Sequence, residues 1–235
     1  LALNLLSGIA QSAAKFALDL RLMAHMKEVE EPFESTQVGS SAMPYKRNPM
    51  RAERMGALAR FIINNAQNAA HTAAGQWLER SLDDSANRRL SLAEGFLAAD
   101  GLLTLYENIV SGLVVYPAMM ARHLKEELPF MASENILMRA VMAGGDRQML
   151  HERIRVHAQA AAQRVKEEGL HNDLLDRVAA DPAFNLNREE LEELLRPEAY
   201  TGLAARQVED YLAGEAKEAL DAHANLKGLD AQIHL

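Results

Sequence analysis

The sequence predicts an all-α chain, a bundle of long helices followed by a smaller C-terminal helical domain. Three observations carry this. Aromatics make up only 5% of the 235 residues and the apolar content is mostly Ala, Leu and Met, which favour helix over strand. Apolar residues recur at spacings of three and four over long segments. Gly and Pro punctuate the chain sparsely in its first half and closely after about residue 113. The bundle portion is therefore placed at 1–113 and the helical domain at 114–235.

The bulk chemistry narrows the partners. A formal charge of −8 is a poor basis for binding nucleic acid or an anionic membrane. No apolar run is long enough to cross a bilayer. The absence of cysteine excludes disulfides and thiolate metal sites and fits a cytoplasmic address. The opening "LALNLLSGIAQSAAKFALDL" has neither an initiator Met nor the basic start of a signal peptide. It reads as a helix entered partway along, in a piece of a longer polypeptide.

The first helix is expected to run to about Val29. Leu6, Ile9, Ala13, Phe16, Leu20 and Met23 form a seam spaced 3, 4, 3, 4, 3, and Leu3, Ala10, Ala17 and Ala24 form a small-residue stripe. Two apolar stripes imply two neighbours within a bundle, and association with other copies. A polar, proline-punctuated segment of about residues 30–49 follows. The second helix starts near Pro49 or Met50 and ends near Gly75. Met55, Leu58, Ile62, Ala66, Ala69 and Ala73 mark its buried face, and "AQNAAHTAAG" admits a close neighbour. The third starts near Ser85 and runs toward Gly112, burying Leu92, Phe96, Ala99, Leu103, Tyr106 and Val110. Asp83 or Asp84 is placed to cap it. Beyond it, shorter helices are separated by Gly144-Gly145, Gly169, Asp181-Pro182 and Pro197, with Ser133, Asn172 and Asn187 as N-caps.

The chemistry concentrates in "VGSSAMPYKRNPMRAER", residues 38–54. Lys46, Arg47, Arg51 and Arg54 face only Glu53 as a local counter-charge. Pro49 suits the first turn of a helix whose N-terminus carries partial positive charge. Gly39-Ser40-Ser41 adds backbone N–H groups and hydroxyls, so the segment reads as an anion cradle. It can be a solvated basic turn, or a catalytic loop whose serine, made acidic by nearby cations, acts as a base. A Walker-type loop does not fit, because the GxxxxGK[ST] spacing and a preceding strand are absent. A second cluster is "LERSLDDSANRR", residues 78–89. Ser85 and Arg89 share a face of the third helix, with Arg80 just before it. Taken alone, that cluster reads better as internal pairing of Arg80 and Arg88 with Asp83 and Asp84.

"GSSAMPYKRNP" resembles the signature loop of the fumarase/aspartase superfamily, whose members eliminate fumarate. Within it, "KRNPMRAER" and "QWLERSLDDSANRR" are similar to the adenylosuccinate lyase family. So are "ELPFMASENILM" and "AGGDRQMLHERIR", which resemble its C-terminal domain. The resemblance covers the whole chain and implies cleavage of adenylosuccinate, and of the succinyl-carboxamide ribotide of purine synthesis, without a cofactor. It implies a homotetramer with active sites drawn from three chains.

Carried over position by position, the resemblance makes Ser40 the base, with Lys46 and Asn48 holding the substrate carboxylate and the aci-carboxylate formed from it. Met43 lies beside them. Arg54, Arg80, Ser85 and Arg89 bind the nucleotide, largely through its phosphate. The family's general acid comes from a region upstream of Leu1, so these residues alone are expected to be inactive. His71, on an Ala-rich helix, reads as a packing or interface residue. "HERIR" departs from HExxH, because Arg155 stands at the second histidine position, and no metal is inferred. The alternatives are another superfamily lyase, such as an argininosuccinate lyase or a carboxymuconate cycloisomerase, or a non-catalytic helical oligomerisation domain.

Overall fold

The computed structural model describes residues 1–33, 43 and 45–226. These residues are all-α apart from two strands of two residues each. The chain divides into two compact units, one from Leu1 to Pro117 and a second beginning at Ala118.

The first unit is built from α1 (Ala2–His25), α2 (Met50–Asn65), α3 (Gln67–Ala74) and α4 (Leu82–Ser111). Four contacts fix their directions. Arg21 of α1 approaches Glu53 of α2, and the rings of Phe16 in α1 and Tyr106 in α4 meet at a tilt with their centres 4.6 Å apart. Asn65, at the end of α2, donates to the Ser91 carbonyl at 2.6 Å. Arg51, at the start of α2, donates to Asn108 at 2.7 Å. So α2 runs antiparallel to both α1 and α4, which run parallel to each other.

α1 ends earlier than its sequence suggests. Lys27 adopts a left-handed φ of 62°. The Glu28 N–H donates to the Met23 carbonyl at 2.9 Å and the Lys27 N–H to that of Ala24 at 3.0 Å. This is a C-terminal closure usually made by glycine. Val29–Glu30 then forms β1, antiparallel to β2 (Val114–Val115), which follows α4. The strand pair ties the ends of α1 and α4 together where α2 begins.

The buried faces differ in detail from those expected. α1 buries Leu3, Leu6, Ala10, Ala13, Ala17 and Leu20 along one line, which takes alternate members of the expected seam and stripe. Ile9 remains 42% exposed. α2 buries Arg51, Ala52, Met55, Ala59, Ile62 and Asn65. A break at Ala66 separates it from α3, where Ala69, Ala73 and His71 are exposed; His71 packs into no core of this unit. α4 buries Ser91, Gly95, Ala99, Leu102, Leu105 and Ile109. That face lies almost entirely one residue before the expected one, leaving Phe96 and Leu103 outside at 56% and 46% exposure. Close packing is the reason. A Cβ at Gly95 would lie 3.0 Å from the Asn65 amide nitrogen and 3.3 Å from Leu3, so the small residues of α4, not the large ones, meet α1 and α2.

Capping also departs from expectation. α4 begins at Leu82 after Ser81, and Asp83 and Asp84 sit inside its first turn, where they complement the helix dipole rather than cap it.

Gly112, just past α4, is pressed against Pro32. A Cβ there would stand 2.6 Å from the proline Cβ. The ring is rigid, so Gly112→Ala must displace backbone. We expect it to lower stability by about 1–3 kcal/mol, the usual cost of overpacking. Urea unfolding measures it; an unchanged midpoint would show that Pro32 can yield.

The second unit comprises α5 (Pro117–Met131), α6 (Ser133–Met142), α7 (Arg147–Glu168), α8 (Leu174–Ala180), α9 (Arg188–Glu193), α10 (Ala204–Ala213) and α11 (Glu215–Ala222). Ile136, Leu150, Ile154, Leu174, Val178, Phe184 and Leu191 form its core. Asn187 caps α9 in a reciprocal capping box with Glu190. Asn172 accepts from the Leu174 N–H one position ahead of the α8 cap, Asp173. Ser133 is instead the first residue of α6, and its hydroxyl donates to the Phe130 carbonyl.

Buried Asp181 accepts from Arg153 at 2.9 Å, lies 2.9 Å from the His157 ring nitrogen and accepts from the Ala183 N–H at 3.0 Å. Burial alone would raise its pKa, but these three partners together hold it below the ordinary aspartate range.

Candidate active site

At the end of the bundle where α2 begins, two acidic residues meet two basic ones. Glu30, on β1, pairs with Arg47 at 3.0 Å and accepts from the Tyr116 hydroxyl at 2.8 Å. The Tyr116 pKa is raised, first by that bond to a carboxylate. The Arg47 guanidinium lies 4.9 Å from the centre of the Phe33 ring, a cation–π contact.

Glu31 is 6% exposed. The Arg51 N–H donates to both of its oxygens at 3.0 Å, and the Ala52 N–H donates to one of them at 3.1 Å. Burial pushes its carboxyl above the usual range, against the pull of these amides and of the Arg51 cation. Glu31 thus caps α2 from twenty residues upstream, where Pro49, the residue before the helix, has no capping side chain. The Arg51 side chain is itself 1% exposed and reaches Asn108.

This changes the expected anion cradle. The first amides of α2 are already occupied: Met50 donates to the Asn48 carbonyl, Arg51 and Ala52 to Glu31, and Glu53 to the Pro49 carbonyl. The helix N-terminus has no such amide left for a second anion. The four basic residues divide likewise. Arg47 and Arg51 hold the architecture, whereas Lys46 and Arg54 are exposed and, among the described residues, paired with no carboxylate. The Lys46 N–H closes a turn on the Met43 carbonyl at 2.9 Å, with Met43 41% exposed and Asn48 half-buried. Ser40 lies outside the described residues.

The second cluster stands at the other end of the unit. Arg80 pairs with Asp84 at 3.2 Å, one of the pairings that the sequence left open. Ser85 is half-buried in the first turn of α4 and Arg89 exposed in its second. Arg80 also lines a cavity of about 500 Å³ with Asp84, Asn87 and Arg88, between α3 and the starts of α1 and α4. Ser85 and Asn108 lie on one helix, roughly 35 Å apart at a rise of about 1.5 Å per residue. Since Arg51 bonds Asn108, the Lys46–Arg54 group and the Ser85–Arg89 group of one chain are about 30 Å apart. The structure brings Met43, Lys46, Asn48 and Arg54 to one end and Arg80, Ser85 and Arg89 to the other.

Sequence reasoning missed Glu31 and Asn108, and placed Arg51 in the anion cradle rather than in the architecture. A buried acid and base twenty positions apart leave no periodic signal. Among the described residues no group of three or more His, Asp or Glu side chains is placed to hold a metal, and no described helix is long and apolar enough to cross a membrane.

Comparison with known proteins places this arrangement. Residues 129–211 match the family model for the adenylosuccinate lyase C-terminus, and residues 1–64 match the lyase model. The chain is 54% identical to adenylosuccinate lyase of Saccharomyces cerevisiae over 215 residues, covering 92% of this chain and 45% of that protein.

The chain is similar to adenylosuccinate lyases over nearly its whole length.

The Schistosoma mansoni member is 46% identical over 231 residues, covering 98% of this chain and 48% of that protein. Both family members are thus spanned over less than half their length. Among solved structures, the 3-carboxy-cis,cis-muconate lactonizing enzyme of Pseudomonas putida is similar with a TM-score of 0.70. The two share 27% identity, over 90% of this chain and 46% of the other. The fold is thus shared with an enzyme of different name, and fold by itself does not fix the reaction.

Proposed function

We propose that the protein, at its natural length, is an adenylosuccinate lyase. It eliminates fumarate from adenylosuccinate and from the succinyl-carboxamide ribotide of purine synthesis. The observation that supports this most directly is the division of the loop's cations, in a chain similar to adenylosuccinate lyases. Two hold the backbone, and Lys46 and Arg54 stay free to meet a polyanion.

In this reading Ser40 takes the proton from the carbon next to a carboxylate of the succinyl group. Lys46 and Asn48 hold that carboxylate as negative charge builds on it. The C–N bond then breaks, fumarate leaves, and the amine receives a proton from an acid outside these residues. Met43 packs beside the succinyl group. Arg54, Arg80, Ser85 and Arg89 hold the nucleotide, chiefly its phosphate. The elimination needs protons and fixed charge only, so no cofactor is assigned.

A nucleotide cannot bridge about 30 Å, so we assign the two clusters of one site to different copies in a homotetramer. The exposed apolar residues Leu5, Leu22, Phe96, Leu97 and Leu103 suit such an interface. Residues 1–113 are read as part of the central bundle and 114–235 as the C-terminal domain. The site is assigned to the cytoplasm, which suits a cysteine-free chain.

Fumarate release from adenylosuccinate by the protein at its natural length is the test. We expect release, and much weaker binding of the dephosphorylated substrate. Release from argininosuccinate instead would overturn the assignment.

A further inference from the structure

The buried acid next to the site has no role in the chemistry just described. Glu31 is not exposed enough to touch a substrate. It contacts the first turn of α2, the helix that follows Lys46 and Asn48 in the chain. Its two oxygens take the amides of Arg51 and Ala52. The Arg51 side chain in turn reaches across to Asn108 of α4. Six residues before Arg51 the chain is still turning, with Lys46 closing on the Met43 carbonyl and Met50 on that of Asn48. Between those turns Arg47 is tied to Glu30, the neighbour of Glu31, and Glu30 is held in place by Tyr116. Lys46 and Asn48 therefore stand on a short backbone stretch anchored at Arg47 by Glu30 and at Arg51–Ala52 by Glu31.

We propose that Glu31 is a positioning residue, whose carboxylate caps α2 and thereby sets where Lys46 and Asn48 stand. A second consequence follows from the same contacts. By filling the helix N-terminus, Glu31 keeps the substrate's anion off it and leaves that anion to Lys46 and Asn48. The inference rests on the lyase reading for its catalytic consequence, and on hydrogen bonds alone for its structural one. A side chain that stabilises charge developing in the transition state is sensitive to small displacement; about 1 Å can cost about a hundredfold. The loss should therefore fall on kcat more than on KM.

The experiment uses the protein at its natural length with Glu31→Ala, Glu31→Gln and a control, Ile154→Val, in the core of the second unit. Glutamine keeps one acceptor oxygen and alanine none. Glu31→Ala is expected to lower kcat by about ten- to a hundredfold with KM changed less than about threefold. Glu31→Gln should recover much of the loss, and Ile154→Val, a general destabilisation, should leave kcat unchanged. Hydrogen exchange of the peptide spanning residues 45–55 should quicken in Glu31→Ala and less so in Glu31→Gln.

Unchanged kcat in folded Glu31→Ala, or a loss that Gln does not reduce, overturns the proposal. If Glu31→Ala does not fold, the Gln variant decides: wild-type kcat together with quickened exchange overturns it, and a reduced kcat supports it. If the wild-type protein releases no fumarate, the lyase reading has failed instead. The exchange experiment then still decides, since unchanged protection in Glu31→Ala shows that Glu31 positions nothing.

Discussion

Replacing Ser40 by alanine in the protein at its natural length is expected to lower kcat on the order of 10²–10⁴-fold, with substrate binding largely kept. That is the usual range for a lost general base. Serine is a poor base until its alkoxide is stabilised, and the structure limits what can do so. The first amides of α2 are committed to Glu31, Asn48 and Pro49. Arg47 is committed to Glu30, and Arg51 is buried against Asn108. Among the described residues, Lys46 is the exposed cation nearest to Ser40 in sequence, so we expect it to supply that stabilisation. Lys46→Ala is accordingly expected to cost as much as Ser40→Ala, because one supplies the charge that makes the other a base. The double variant should be little worse than either single one. Steady-state kinetics on the three variants tests this. Near-normal turnover by Ser40→Ala removes Ser40 as the base. A large loss from Ser41→Ala in its place moves the role to the neighbouring hydroxyl.

Much of the fold could be read from periodicity, and the places where it could not have separate physical causes. The helices, and the short segments after residue 117, follow from apolar spacing and from Gly and Pro. The helix faces were harder. On α4 the large residues Phe96 and Leu103 pointed to one face, and the structure buries the line of Ser91, Gly95 and Ala99 instead. Tight helix packing selects small residues, and hydrophobicity scales undercount them. Those large residues remain exposed in this chain. The end of α1 differs for another reason: Lys27 holds a left-handed turn that sequence reading assigns to glycine.

At the site, the sequence pointed to the basic loop but not to its internal division of labour. Four cations look alike in sequence. Only contacts with Glu30 and Glu31, which arrive from the far side of the loop, show which two of them hold the fold. The pairing of Arg80 with Asp84 shows the same limit, since both ion pairing and ligand binding were compatible with the spacing.

Mixing two inactive variants is expected to restore activity. Lys46→Ala should disable one end of the bundle and Arg89→Ala the other. The two positions are about 30 Å apart in one chain, because Arg51 bonds Asn108 while Arg89 sits near the start of the same helix. A single nucleotide cannot touch both ends of one chain. If a site takes Lys46 from one copy and Arg89 from another, each pure variant has every site damaged. In oligomers assembled at random from equal amounts of both, about a quarter of the sites combine an intact Lys46 with an intact Arg89. Co-expression, or refolding of the mixture, should therefore recover roughly that fraction of wild-type kcat from two nearly inactive proteins. KM at the restored sites should match the wild type, because those sites contain every residue. The Arg89→Lys variant in place of Arg89→Ala should complement in the same way, since a point charge does not reproduce the planar fork that grips a phosphate. Mixtures that stay inactive, under conditions where copies demonstrably exchange, would place both residues in one chain's site. The separation along α4 argues directly against that.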